Sequence, residues 1–226
     1  MSPLLYKNNV SPPSRTVMMV ADILGLDLNM EELNPMLQEQ ATPEFTKKNP
    51  MRTIPILEEE GFNLADSHAI ILYLFDKNGK AEHECFYPCD KRKRATVNQR
   101  LFFDCGVLFP RLKTIMGPIY GGRLTELSRS MIRNVDDAYR ILETYLSHTL
   151  YLADDVITLA DICILTTIST LHGLHPIDGK VYPKLKQWYT NMSQQEYCKR
   201  INESGSQQHV DVLKKLMKNN KNKSKL

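Results

Sequence analysis

The sequence predicts an α/β domain followed by an all-α domain, and three observations carry that prediction. Up to residue 77, short apolar runs alternate with segments of helical spacing. Over residues 78–90 the period is lost while Gly79, Pro88 and charges accumulate, which marks a linker. Beyond it the apolar stripes step by three or four residues. The expected organisation is an N-terminal domain over residues 1–77, a linker over 78–90, a helical domain over 91–218 and a flexible basic tail over 219–226.

In the first domain, Leu4-Leu5-Tyr6 reads as a short buried strand and Pro12-Pro13 as a turn. Val17, Val20, Ala21 and Leu24 recur at helical spacing from Arg15, and Gly25 ends that helix. Residues 26–33 alternate as a second strand, with Leu28 and Met30 on one face. Thr42-Pro43-Glu44 starts a short helix. Residues 53–57 and 62–64 pair as a hairpin about Glu60-Gly61. Residues 66–75 are helical again, with Ile70, Ile71 and Leu74 inward. In the second domain, Val97, Leu101, Cys105, Leu108, Leu112, Ile115 and Ile119 form one stripe on a single long helix. Residues 124–146, 182–192 and 210–217 supply further helices. The helix opened by Thr158-Leu159-Ala160-Asp161 is apolar on nearly every side, as expected of a helix buried in the middle of a domain.

Net charge is only +3 and much of it sits at the end of the chain, so little basic surface is left to hold a nucleic acid. The five cysteines show no Cys-x-x-Cys spacing, which fits reduced thiols in an intracellular protein and no metal. No secretory leader follows Met1, and no uninterrupted apolar run approaches the length of a membrane span. A cytoplasmic protein without membrane or nucleic-acid partners is the expectation.

Four motifs, in this order and on these elements, resemble the cytosolic glutathione S-transferases: Ser11-Pro12-Pro13-Ser14-Arg15, Thr53-Ile54-Pro55-Ile56-Leu57, Asp66-Ser67-His68-Ala69-Ile70 and Thr158-Leu159-Ala160-Asp161. The Ser-Pro-Pro form, with Arg100-Leu101-Phe102-Phe103-Asp104 and Gly106-Val107-Leu108-Phe109, is most similar to the insect epsilon class within the delta/epsilon group. The resemblance runs from about Leu4 to Asn202 and implies a thioredoxin-like domain joined to a helical bundle, usually as a homodimer. It also implies glutathione as co-substrate, conjugated to small hydrophobic electrophiles or used to eliminate HCl from chlorinated ones, as in detoxification and insecticide metabolism.

The chemistry of such a site turns on the thiol. Only the thiolate attacks, so the protein has to lower the thiol pKa by about two units, worth roughly 2.7 kcal/mol. A hydroxyl donated from the turn before a helix N-terminus serves that purpose, and Ser11 stands there. Ser11 as a plain helix cap is the alternative; Tyr6, the hydroxyl used in other classes, and Ser14 are rivals. By resemblance Pro55 is cis, and Thr53, Ile54 and Pro55 present the Ile54 backbone to the cysteinyl part of glutathione. Asp66, Ser67 and His68 then serve its γ-glutamyl end at a helix N-terminus. Gln40 and Arg52 stand where the class usually has histidines for the glycyl carboxylate, so that end departs from the pattern.

For the electrophile, Phe103, Val107, Arg111 and Met116 make a second stripe on the long helix, supplemented by Pro13, Leu108, Leu112, Ile115, Tyr120 and His172. Core packing is the competing reading for each. Two other functions stay open: a carrier of hydrophobic ligands with a vestigial glutathione site, and a dedicated steroid-hormone-synthesis enzyme. The subgroup with the latter role carries an acidic residue near the position of Leu112 that is absent here. Finally, Ser224-Lys225-Leu226 spells a peroxisomal address.

Overall fold

The computed structural model describes residues 2–223. The N-terminal part is a four-stranded sheet flanked by helices: β1 (Leu4–Lys7), α1 (Pro12–Ile23), β2 (Asn29–Glu32), α2 (Pro43–Lys48), β3 (Ile56–Glu59), β4 (Phe62–Ala65) and α3 (Ser67–Asn78). Strand order is β2-β1-β3-β4, with β1 and β2 parallel across the α1 crossover and the other pairs antiparallel. Leu5 pairs with Leu57, which in turn faces Leu64, so one face of the sheet is apolar. Val17, Val20 and Leu24 of α1 and Ile70, Ile71 and Leu74 of α3 belong to the core on that face. Tyr6, Leu33, Phe45 and Ile56 form a smaller cluster of their own. The sheet and the helices after it make a thioredoxin-like domain.

Two expectations change here. The Ser11-Pro12-Pro13 turn is the start of α1 itself, because proline fits the first helical turn, where its missing N–H is not needed. Leu28 is buried but Met30 is half exposed, so they do not share a buried face. β2 is an edge strand exposed at every residue, paired to β1 alone.

The helical part contains α4 (Lys91–Phe103), a π-helical turn (Asp104–Leu108), α5 (Phe109–Tyr120), α6 (Arg129–Tyr145), α7 (Leu159–Leu174), α8 (Pro183–Ser193) and, after a second π turn (Cys198–Glu203), α9 (Ser204–Lys223). The long helix predicted over residues 97–119 is thus two α-helices in line through a π turn. Val97, Leu101, Leu108, Leu112, Ile115 and Ile119 are buried as expected, but Cys105 is exposed and Asp104 takes its place inside. Pro110 is the physical reason. It has no N–H for the Gly106 carbonyl four residues back, and a wider turn absorbs the mismatch.

Helix α7 is buried along most of its length and sits at the centre of the bundle. Its first turn is fixed by Asp161, fully buried, which accepts from Thr158 N and Oγ1 at 2.8 Å each, and from Leu152 N and Trp188 Nε1 at 2.9 Å each. Arg15 ties α1 to this bundle: Nε donates to Asn202 at 2.8 Å, one terminal nitrogen to Val10 O at 2.7 Å and the other to Thr166 O at 3.3 Å. Burial without a carboxylate partner pushes the pKa of Arg15 down to about 9.

The tail expected to be flexible from residue 219 is helical through Lys223. Asn220 is buried and donates to the carbonyls of Ile119 and Leu124 at 3.0 Å each, which pins the last turns of α9 to the end of α5. The Ser224-Lys225-Leu226 signal lies outside the described residues. Among them, no helix is long and apolar enough to cross a membrane.

Candidate active site

Two cavities open between the sheet domain and the bundle and share Pro13, Thr53, Ile54, Phe109 and Lys113 as walls. The smaller, about 240 Å³, is bounded by Asp66, Ser67 and His68 at the start of α3, by Asp104 and Cys105 of the π turn, and by Thr166 and Thr167 of α7. The larger, about 660 Å³, is bounded by Ser11, Met36, Met116, Tyr120, His209 and Val212 among others.

Ser11 is the N-cap of α1, and its Oγ accepts from Ser14 N at 3.5 Å. That long bond uses an oxygen lone pair and leaves the hydroxyl hydrogen to donate elsewhere. The two readings of Ser11, as helix cap and as hydroxyl donor, are therefore compatible. Its rivals stand apart from both cavities. The Tyr6 hydroxyl donates to Glu58 at 2.9 Å, accepts from Lys48 at 2.6 Å, and packs edge-on against Phe45. Ser14 is fully buried and accepts from Asn8 N at 3.3 Å.

The Ile54-Pro55 peptide is cis. β3 begins only at Ile56, and the N–H and C=O of Ile54 make no hydrogen bond among the described residues. On the wall of the same smaller cavity, Asp66 adopts φ 75°, and its carboxylate caps α3 by accepting from His68 N at 2.9 Å and Ala69 N at 3.2 Å. The N–H and hydroxyl of Ser67 stay unpaired among the described residues. The cleft thus offers unpaired donors from Ile54 and Ser67, one of them at a helix N-terminus where anions are favoured.

His68 lies between two carboxylates: Nε2 is 3.0 Å from Asp104 Oδ2 and Nδ1 is 3.6 Å from Asp66 Oδ1. Burial opposes its protonation, but the bonds to Asp104 and Asp66 outweigh burial and push its pKa up to about 9. The same contact to His68 holds the Asp66 carboxyl below the usual range, against burial. Asp104 is almost fully buried, and its Oδ1 has no hydrogen-bond partner.

Of the residues assigned to the glycyl end of glutathione, neither Gln40 nor Arg52 lines either cavity. Gln40 is half-buried in a short 3-10 turn (Glu39–Ala41) with its Oε1 unpartnered, and Arg52 is exposed with φ 54°. Of the proposed electrophile wall, Pro13, Met116 and Tyr120 line the larger cavity. The rest face elsewhere. Phe103 packs edge-on against Tyr145 inside the bundle, and Leu108, Leu112 and Ile115 are core. Val107 packs against that core, while Arg111 binds the Asn134 carbonyl at 2.6 Å and Asp137 at 2.8 Å on α6. His172 is occupied by Ile177 N at 2.9 Å and Lys186, far from the cleft wall; burial pushes its pKa down to about 4.

Cys105 lies in the π turn and Phe109 opens the helix after it, where the regular helical pattern of α4 is interrupted. The stripe that reaches the cleft is Cys105, Phe109, Lys113, Met116 and Tyr120, two residues on from the stripe extrapolated through Phe103, Val107 and Arg111. Gly106 and Pro110, four apart inside an otherwise helical pattern, are the sequence signal that locates this interruption. Tyr120 is anchored from the far side by His209 of α9, with Oη 3.1 Å from Nε2, and burial pushes the pKa of His209 down to about 4, so this imidazole is neutral.

Comparison with known proteins accords with this geometry. Residues 5–82 match the family described as glutathione S-transferase, N-terminal domain, and residues 127–196 match glutathione S-transferase, C-terminal domain. Glutathione S-transferase 1 of Manduca sexta is 38% identical over 92% of this chain and 96% of its own length. An epsilon-class glutathione S-transferase of the housefly Musca domestica superposes with a TM-score of 0.91 at 34% identity, covering 95% of this chain and 98% of that one. A glutathione transferase homologue of Drosophila mojavensis, solved with bound glutathione, gives 0.90 at 36% identity, over 95% and 97% of the two chains. A delta-class glutathione transferase of Nilaparvata lugens gives 0.86 at 34% identity, over 95% and 99%. The cleft between a thioredoxin-like sheet domain and a helical bundle is thus shared with transferases of known structure, and the chain belongs to the glutathione S-transferase family, beside its insect epsilon and delta classes.

Proposed function

We propose that this chain binds glutathione along the cleft, activates its thiol with the Ser11 hydroxyl, and joins the thiolate to small hydrophobic electrophiles in the larger cavity. The observation that supports it most is the row of available groups along the cleft: the Ser11 hydroxyl hydrogen at the start of α1, the Ile54 N–H and C=O, and Ser67 at the start of α3. An extended peptide matches it. The γ-glutamyl carboxylate takes the Ser67 N–H and hydroxyl, and Asp66 takes the amine. The cysteinyl N–H and C=O pair with Ile54 as a short antiparallel strand. The thiol then faces Ser11, whose hydroxyl donates to the sulfur while the positive end of α1 favours the anion. The thiolate forms the new C–S bond as the leaving group departs, or removes a proton as chloride leaves a chlorinated substrate.

The glycyl carboxylate is left to Gln40 and Arg52, which have to approach it. That end of the site is the weaker one. We further take the protein to be a cytoplasmic homodimer acting in detoxification, with a glutathione-binding domain over residues 1–77, a linker over 78–90 and an electrophile-binding domain from 91 onward. Ser11→Ala tests the reading: turnover of a model electrophile falls by about 10- to 1,000-fold, the scale of losing one oxyanion-hole donor, with glutathione still bound. Unchanged turnover removes Ser11 from the mechanism. A second reading, a non-catalytic carrier, is favoured by the position of Gln40 and Arg52 outside both cavities. Retention on immobilised glutathione separates the two, since a carrier with a vestigial site elutes without it.

A further inference from the structure

We propose that Asp66, His68 and Cys105 form a binding site for a thiophilic divalent cation, Zn²⁺ in the first place, at the α3 end of the smaller cavity. One ligand atom from each residue lies within 4.8 Å of the other two. His68 Nδ1 and Asp66 Oδ1 are already 3.6 Å apart, against about 3.3–3.6 Å for neighbouring nitrogen and oxygen ligands of a tetrahedral zinc with bonds of about 2.0–2.2 Å. Cys105 is a free, exposed thiol on the π turn, and the ligand atoms have to draw together from within 4.8 Å to bond one ion.

An independent observation is Asp104. Its Oδ2, 3.0 Å from His68 Nε2, is a carboxylate backing a histidine, which fixes the ring and leaves Nδ1 as the nitrogen facing Asp66 and the cavity. Its Oδ1 is buried without a hydrogen-bond partner, and Asp104 itself belongs to the wall of the same cavity. The start of α3 by itself repels cations. Here the carboxylates of Asp66 and Asp104 and the sulfur of Cys105 border the position, and Lys113 is an opposing cation on the cavity wall beside His68. Three protein ligands leave a fourth position for water. Binding displaces the protons on the Cys105 thiol and on His68 Nδ1.

The ion would sit where the γ-glutamyl group lies in the reading above, so its competition with glutathione rests on that reading, whereas its binding does not. The direct test is titration of the reduced, glutathione-free protein with Co²⁺, followed by displacement with Zn²⁺. The expected result is a thiolate-to-cobalt charge-transfer band that Cys89→Ser retains and Cys105→Ser abolishes, with Zn²⁺ affinity at least tenfold lower in Cys105→Ser. Asp104→Asn keeps the band and weakens Zn²⁺ by about 10- to 100-fold. No band, or a band that survives Cys105→Ser, overturns the site. Calorimetry with S-methylglutathione, whose sulfur is blocked, reads the competition: Zn²⁺ weakens its binding in the unaltered protein and has no effect in Cys105→Ser. Metal binding without competition leaves the metal site standing and overturns the placement of the γ-glutamyl group instead.

Discussion

The two walls of the cleft are built differently. The sheet-domain wall presents backbone and helix-terminal groups: the Ile54 peptide, the Ser67 N–H and a serine at the start of α1. The helical wall is assembled from side-chain positions on several elements: Cys105 of the π turn, Phe109 to Tyr120 of α5, Thr166 and Thr167 of α7, and His209 and Val212 of α9. A wall of backbone groups is fixed by local chain geometry, which tolerates little substitution. A wall of side chains is retuned by any change of residue or register, and this chain places Cys105 of a π turn and Phe109 of the helix after it on that wall.

The largest effect expected concerns what holds the helical wall in place. Asp161→Ala leaves four buried donors without their acceptor and lowers stability by about 3–5 kcal/mol, measured by urea unfolding. A loss below about 1 kcal/mol would mean that α7 does not depend on that carboxylate. Next comes selectivity. Met116→Ala shifts kcat/KM between a bulky and a small electrophile by about tenfold and leaves the KM for glutathione alone. If glutathione affinity moves instead, the two walls are not separate in function.

A smaller effect comes from His68. Its folded pKa of about 9 lies above its ordinary 6.5, so its pairing with Asp66 and Asp104 stabilises fully below about pH 6.5 and is lost as pH rises through 9. His68→Gln removes that slope of Tm against pH, and an unaltered slope assigns it to another group. The smallest effect is predicted for Thr53→Ala, which removes the Oγ1 acceptor of Asn49 but keeps the Asn49 bond to the Thr53 carbonyl at 2.9 Å, and changes turnover less than about twofold, because this wall acts through its backbone.

The same contrast explains how much was legible in the sequence. Ser11-Pro12-Pro13, Ile54-Pro55 and Asp66-Ser67 are local patterns whose prolines and capping residues dictate backbone shape, and these positions line the cleft. The four-stranded sheet and the buried α7 followed from periodicity, and the Asp161 cap from the Thr158-Leu159-Ala160-Asp161 motif. Periodicity places the core stripe on both sides of the π turn, but it does not tell the cleft face from the faces toward α6 and the core, so it selects Phe103, Val107 and Arg111 rather than Cys105, Phe109 and Lys113. The exposed edge at Met30 and the helix beyond residue 219 depended on tertiary neighbours: the pairing of β2 to β1 alone, and the Asn220 bonds to α5. Thr16, Asp104, Thr166 and His209 reach the cleft from three separate helices and the π turn, and no local pattern brings them together.

The central claim is that Ser11 stabilises the thiolate of bound glutathione. Its direct test is the thiol pKa in the binary complex, read from thiolate absorbance across a pH titration of the protein and of Ser11→Ala. The prediction is a thiol lowered by about two units in the protein as it stands and returned most of that way in Ser11→Ala. Equal pKa values in the two proteins would contradict it.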